Sequence, residues 1–325
     1  MEQNYLVSEE SALERKENQM LEMKNLQKGY NDRPVIHDIN ICVRRGEIHG
    51  LVGSNGAGKT TLLKCAGGIY KPAQGTVQYE GQDIYDNPEV KKKVAYVSEQ
   101  LDFINIYSVV GIAGYYRNFY DTFSGEKFDD LAKRFGLKLK KNIGTLSKGQ
   151  RAKLNFILAI AQQPEYLIMD EPENGMDTEG KSLFRDILIE EVERGQIGVL
   201  FSSHDLATVE QLCDGVTMLE AGECFAQKSV DELKEKVQKW KGVLPQKTTD
   251  KKLFDMILHE TSRIGTLSEF YTVGERGGNE RILEKMGITD YSAQQITLEE
   301  VYTLLKKIYI QGQRGIMERQ REETE

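Results

Sequence analysis

The chain has 325 residues, of which 39% are hydrophobic and 29% charged, and 43 basic against 51 acidic residues give a formal net charge of −8. This length predicts two domains rather than one, and the acidic balance argues against a dedicated nucleic-acid binder, which needs a basic face to neutralise phosphates. No apolar run reaches the roughly 18–20 residues that cross a bilayer, and residues 1–10 lack the basic start and apolar core of a signal peptide. Cys42, Cys65, Cys213 and Cys224 lie scattered without CxxC spacing, which speaks against a zinc site or a disulfide framework. The expectation is a cytoplasmic chain that neither spans a membrane nor is secreted.

Residues 1–21 are polar and charge-rich and read as an N-terminal extension. From 22 to 227 apolar runs alternate with helical patterns, which predicts an α/β unit. Residues 48–52 predict a strand, and Gly53-Ser54-Asn55-Gly56-Ala57-Gly58-Lys59-Thr60 after it fits GxxxxGK[ST], with Thr61 opening a helix. Glycines let consecutive N–H groups curl round an anionic phosphate, and the helix adds its positive N-terminus. Lys59 is then placed to reach β and γ phosphates, and the Thr60 hydroxyl to complete a Mg2+ shell. Residues 94–97 predict a second strand, which runs into Ser98-Glu99-Gln100. Leu146-Ser147-Lys148-Gly149-Gln150 precedes a helical pattern that starts near Arg151, a second turn suited to an anion. Residues 166–169 predict a strand that ends in Asp170 and Glu171. Asp170 would hold the Mg2+ shell, and Glu171, pointing the other way, would polarise an attacking water as general base. Residues 198–202 predict the last buried strand, with His204 just beyond it. Two phosphate-binding turns in one chain suggest composite sites shared by two subunits.

Past Gln227 the character changes. Ser229-Val230-Asp231-Glu232 is a capping box that predicts a helix through about Lys241, and residues 242–250 read as a boundary. A helical pattern near 252–263, a strand over 270–273, a turn with Gly274, Gly277 and Gly278, and a helix to Met286 follow. A second capping box, Thr297-Leu298-Glu299-Glu300, opens a helix with Leu298, Val301, Tyr302, Leu305, Ile308 and Tyr309 at helical spacing. Residues 228–325 carry equal numbers of basic and acidic side chains, so the net charge resides upstream. They predict a small α+β appendage with no catalytic constellation.

Residues 21–227 resemble the nucleotide-binding subunit of an ATP-binding cassette (ABC) transporter, whose motifs occur here in the family's order and at its spacing. Residues 53–60 resemble its Walker A, 166–171 its Walker B and 146–150 its LSGGQ signature. Asn174-Gly175-Met176-Asp177 resembles its D-loop, and Ser202-Ser203-His204-Asp205 its switch region. The resemblance implies an α/β P-loop cassette with a RecA-like core, a helical subdomain at about 101–146 and the appendage at 228–325. It implies ATP and Mg2+ as cofactors, with Tyr30 stacked on adenine and residues 53–61, Thr61 included, around the phosphates. Thr60, Asp170 and Glu99 (or Gln100) would meet the Mg2+. Catalysis would fall to Glu171, Lys59 and His204, the last sensing the γ-phosphate. Ser147, Gly149, Gln150 and Asp177 would face a second subunit. Two positions depart from the family: Lys148 replaces the third signature residue, normally Gly, and the Q-loop glutamine aligns with Glu99, or with Gln100 after a one-residue shift. The aromatic stretch from Tyr107 to Tyr120 lies where a membrane partner's coupling helix would dock, or else forms the subdomain core.

As a whole, the resemblance implies the ATP-hydrolysing subunit of an exporter of the ABC-2-like branch. It would dimerise with an identical or paralogous cassette and sit at the inner face of the membrane under separately encoded integral-membrane subunits. A peptide or amphipathic compound is the expected cargo, and no nucleic acid is expected as partner. A soluble ABC ATPase of translation or DNA repair, or an importer ATPase with a regulatory C-terminal domain, is the alternative. Against the former stand a single cassette and the lack of heptad runs and cysteine clusters.

Overall fold

The computed structural model describes residues 19–31, 33–99, 106–195, 197–243, 258–264, 266–288 and 290–322. The chain divides after Gln227 into two compact units. In chain order the first holds β1 (Met20–Tyr30), β2 (Arg33–Arg44), β3 (Ile48–Gly53), α1 (Lys59–Ala66), β4 (Gln74–Tyr79), β5 (Gln82–Asp83), α2 (Pro88–Lys92) and β6 (Val94–Val97). There follow α3 (Val109–Arg117), α4 (Gly125–Arg134), α5 (Lys148–Ala161), β7 (Tyr166–Asp170), α6 (Thr178–Gly195), β8 (Gly198–Ser202), α7 (Leu206–Leu212), β9 (Gly215–Glu220) and β10 (Glu223–Ser229).

Two sheets share this unit. One runs β10-β9-β3-β8-β7-β6, and β6, β7, β8, β3 and β9 pair in parallel. Its inner strands are mainly apolar because both faces are covered: every residue of β7 and β8 is buried. Parallel pairing brings the carboxyl ends of β3, β6, β7 and β8 to one edge, where ligands of open α/β sheets sit. The other sheet, β2-β1-β4-β5, is antiparallel and shares one core with α1 and the parallel strands, including Leu21, Ile36, Leu62, Val77, Ile168 and Leu200. Periodicity did not reveal this second sheet, because its pairing is broken by irregularities between Met23 and Gly29. Between β6 and β7, α3, α4 and α5 form the helical part, with Ile112, Phe128, Leu131 and Phe156 buried. Helix α3 is opened by Ser108, which accepts from the Gly111 amide, and α4 by Ser124, which accepts from the Lys127 amide.

The second unit contains α8 (Val230–Lys236), β11 (Val237–Val243), β12 (Leu258–Ile264), β13 (Leu267–Val273), α9 (Arg276–Lys285), β14 (Tyr291–Gln294) and α10 (Leu298–Glu322). The sheet order is β12-β13-β11-β14, antiparallel at every junction. β11 therefore lies between β13 and β14, the placement of a split βαβ unit. Trp240, Phe270, Leu283 and Ile288 form its core. Both capping boxes form: Ser229 pairs reciprocally with Glu232, and Thr297 with Glu300.

Two expectations are corrected here. The helix expected through Lys241 stops at Lys236, because Gln238, Trp240 and Gly242 face inward in the alternating burial of a strand. Residues 258–263 of the expected helical pattern at 252–263 lie in β12, paired with β13 from Leu258 opposite Thr272 to Ile264 opposite Leu267; residues 252–257 lie outside the described residues.

Candidate active site

The loop after β3 turns on glycines. Gly56 and Gly58 have φ of 83° and 101°, in the left-handed region. Gly58 is also crowded: a Cβ there would lie 2.6 Å from Ile36 Cγ2 and 3.1 Å from the Val35 carbonyl. The antiparallel sheet thus presses β2 onto the loop, and only glycine satisfies both the turn and the contact. Gly58 caps α1 without a side-chain bond, and the first turn of α1 has no acidic residue. Its amides and positive end are left for an anion. Lys59 is 8% exposed, and its Nζ donates to the carbonyls of Gly53 at 2.8 Å and Ser54 at 3.4 Å. Ser54 Oγ donates to Glu220 Oε2 at 2.8 Å, which ties the loop to the end of β9.

Across the cleft β7 ends in Asp170, which is 3% exposed and accepts from Ser202 Oγ at 2.7 Å. The same hydroxyl accepts from the Glu171 amide at 3.0 Å. Glu171 has a φ of 46°, left-handed for a side chain with a Cβ, a conformation costing about 1–3 kcal/mol that the surrounding bonds must sustain. That sharp turn parts the two neighbouring carboxylates. Glu171 Oε2 stands 2.7 Å from His204 Nδ1 and accepts from the His204 amide at 3.3 Å. Glu99 Oε1 accepts from Asn174 Nδ2 at 2.8 Å.

These groups surround one cleft of about 520 Å³, lined by residues 54–61 together with Val35, Glu99, Asp170, Glu171, Asn174 and His204. Its volume is within the usual range for small-molecule sites. The Thr60 hydroxyl, the Asp170 carboxylate and the Glu99 carboxylate are oxygen donors on the same cleft, a set that suits a Mg2+ sharing its shell with phosphates. Val35 and the Ser54 partner Glu220 have no motif of their own, and only the fold brings them to the site.

Several expected residues lie elsewhere. Gly53 contributes its carbonyl to Lys59. Tyr30 is 41% exposed, edge-on to Tyr70 with centroids 6.0 Å apart and with Lys28 Nζ 5.8 Å above its ring. Gln100 falls outside the described residues. Ser147 and Gln150 cap α5 reciprocally, and Gln150 Oε1 also accepts from Lys141 Nζ at 3.0 Å. Gly149 packs on the D-loop so closely that a Cβ would meet the Gly175 carbonyl at 2.2 Å, and the Lys148 stem crosses Gly175. Asp177 Oδ1 accepts from Lys153 Nζ and the Gly180 amide, each at 2.9 Å, and the Lys153 hydrogen bond holds its carboxyl below the usual range. Signature and D-loop therefore form a second, outward patch beside the cleft. Of the aromatic stretch, Tyr116 stacks on Tyr120 at 5.8 Å, whereas Tyr115 and Phe119, whose rings meet at 4.6 Å, are exposed, as are Ile106 and Val110. The stretch thus contributes to both an interior and an exposed apolar face.

Fold and cleft together define a P-loop nucleoside-triphosphatase. The family described as "ABC transporter" matches residues 36–174. The ABC transporter ATP-binding protein YtrB of Bacillus subtilis (strain 168) is 30% identical over 216 residues, covering 66% of this chain and 74% of YtrB. The bacitracin transport ATP-binding protein BcrA of Bacillus licheniformis is 27% identical over 303 residues, 86% of this chain and 94% of BcrA, so its likeness continues past the first unit. A solved structure of the ATP-binding subunit of an ABC transporter superposes with a TM-score of 0.62 at 29% identity, covering 66% of this chain and 92% of the other. The chain belongs to the ABC transporter family, as an ATPase subunit with the P-loop cassette fold. Among the described residues no helix is long and apolar enough to cross a membrane.

Proposed function

We propose that this chain is the ATP-hydrolysing subunit of an exporter, paired with a second cassette and seated on membrane subunits supplied by other chains. The observation that carries the hydrolytic part is the convergence of Lys59, Thr60, Asp170, Glu171 and His204 on one cleft at the ends of the parallel strands. Loop amides and the α1 terminus receive the phosphate oxygens, and Lys59 exchanges its loop carbonyls for the β and γ phosphates. Thr60, Asp170 and Glu99 would hold a Mg2+, which when bound would supply positive charge against the charge that develops on the phosphates. Glu171 accepts a proton from water as the water oxygen bonds to the γ-phosphorus and the bond to the β–γ bridging oxygen breaks. His204, joined to Glu171 through both its ring and its amide, orients that carboxylate. Tyr30 stacks on the base. Ser147, Gly149, Gln150 and Asp177 complete the cleft of a second cassette, a role supported by their outward placement beside the first.

Export of a peptide or amphipathic compound is supported by the likeness to BcrA across most of both chains. The exposed Ile106, Val110, Tyr115 and Phe119 supply an apolar face for a helix of the membrane subunit, which would hold the chain at the inner membrane face. Pull-down from detergent extract tests the partner: the chain should enrich an integral-membrane protein, and Phe119→Asp should reduce that enrichment. Enrichment of ribosomes instead would overturn the transporter reading.

A further inference from the structure

Two residues beyond Glu171, the chain buries another carboxylate. Glu173 is 6% exposed, and burial pushes its carboxyl above the ordinary range despite Lys181, the Thr208 hydrogen bond and Arg185. Glu173 Oε2 accepts from Thr208 Oγ1 at 3.2 Å. Its other oxygen makes no hydrogen bond and stands 4.0 Å from Arg185 Nε. A carboxylate in such a place is costly to desolvate, and packing alone would be served as well by an apolar side chain. It lines a small cavity of about 160 Å³ together with Glu171, Gly175, Lys181, His204 and Asp205.

The connection matters because of what lies at either end. Thr208 is 1% exposed and sits in the first turn of α7, the helix that begins directly after His204 and is capped by Asp205. Glu173 sits in the turn that begins with Glu171. Glu171 is 14% exposed but His204 69%, so on the histidine side the contact has little packing of its own to fix it. Ser202 joins the two turns at the strand ends through Asp170 and the Glu171 amide. Glu173 joins them a second time, a few residues further out.

We propose that Glu173 is a positioning residue: its bond to Thr208 clamps the turn that carries Glu171 to the helix that follows His204, and so sets the approach of those two side chains. The inference rests on the hydrolytic reading of Glu171 given above. Glu173 lines no part of the nucleotide cleft, so loss of the clamp should lower kcat and leave KM for ATP unchanged. Glu173→Ala is expected to lower kcat about tenfold, the effect of a charge-assisted hydrogen bond of ordinary strength. Glu173→Gln keeps an acceptor for the hydroxyl and should restore most of the rate. Thr208→Val, which keeps the shape and removes the donor, should reproduce the loss and covers the case in which Glu173→Ala fails to fold. The double variant should be no slower than the worse single one. Wild-type kcat in Thr208→Val, a tenfold rise in KM with kcat intact, or additive losses in the double variant would each overturn the clamp. Glu171→Gln assayed alongside separates the two ideas: turnover retained there removes the base assignment, whereas an inactive Glu171→Gln beside a normal Thr208→Val removes only the clamp.

Discussion

The two units use buried polar groups in opposite ways. In the first, Lys59 and Asp170 are buried at the edge of a parallel sheet and face a common cleft, with Ser202 buried behind Asp170 and bonded to it. In the second, Gln238, Thr272 and Asn279 are equally buried but satisfy one another: Gln238 accepts from Asn279 and Thr272, and Trp240 Nε1 donates to Thr272 Oγ1 at 2.8 Å. A parallel sheet gathers strand ends on one side, and an antiparallel one distributes them over both. Polar residues in the first arrangement are available to a ligand, and in the second they specify a core.

That contrast can be broken at defined points. The largest effect is expected from Glu171→Gln, with kcat for ATP hydrolysis reduced by about 10²–10⁴ as for other lost general bases while nucleotide binding persists; steady-state turnover and a binding titration check both. Trp240→Ala should destabilise the second unit by about 3–5 kcal/mol, read by denaturant unfolding, and leave ATP affinity of the first unit unchanged. A fall in ATP affinity would contradict the independence of the two chemistries. Lys59→Ala should weaken ATP binding by about tenfold or more, the loss of one charge-assisted phosphate contact, measurable by equilibrium titration. The smallest effect concerns Glu300, which accepts from Lys239 Nζ at 2.7 Å and Tyr271 Oη at 2.8 Å. Burial raises its pKa, but the bonds from Lys239, the Thr297 amide and Tyr271 outweigh it and leave the carboxyl below its ordinary value of 4.5. A carboxyl lowered in the folded state contributes stability above its unfolded pKa and loses it as pH falls through the folded one. Glu300→Gln should flatten that acid-side loss, by about 1 kcal/mol or less for a partly exposed pair.

How much the sequence disclosed follows from where the physics is local. The phosphate loop, the Asp170–Glu171 pair and both capping boxes were legible because each needs particular residue types at fixed spacing. Of the five parallel strands, β3, β6, β7 and β8 were legible because burial leaves short, dense apolar runs, and β9 was not. The β1–β2 ribbon was not, since its irregular register blurs the alternation. Helix α8 was extended too far because its start is marked by Ser229 and its end by nothing local; the pairing of Trp240 with Phe270 decides it. Glu220, Val35 and Glu173 reach their partners only through tertiary structure, and nothing adjacent in the chain announces them.

The Ser202 hydroxyl, shared between the Asp170 carboxylate and the Glu171 amide, works as an interlock. A cation held by Asp170 would compete for the carboxylate that Ser202 bonds, and so would reach the hydroxyl that holds the Glu171 backbone. Ser202→Ala would remove that link between the two neighbouring carboxylates.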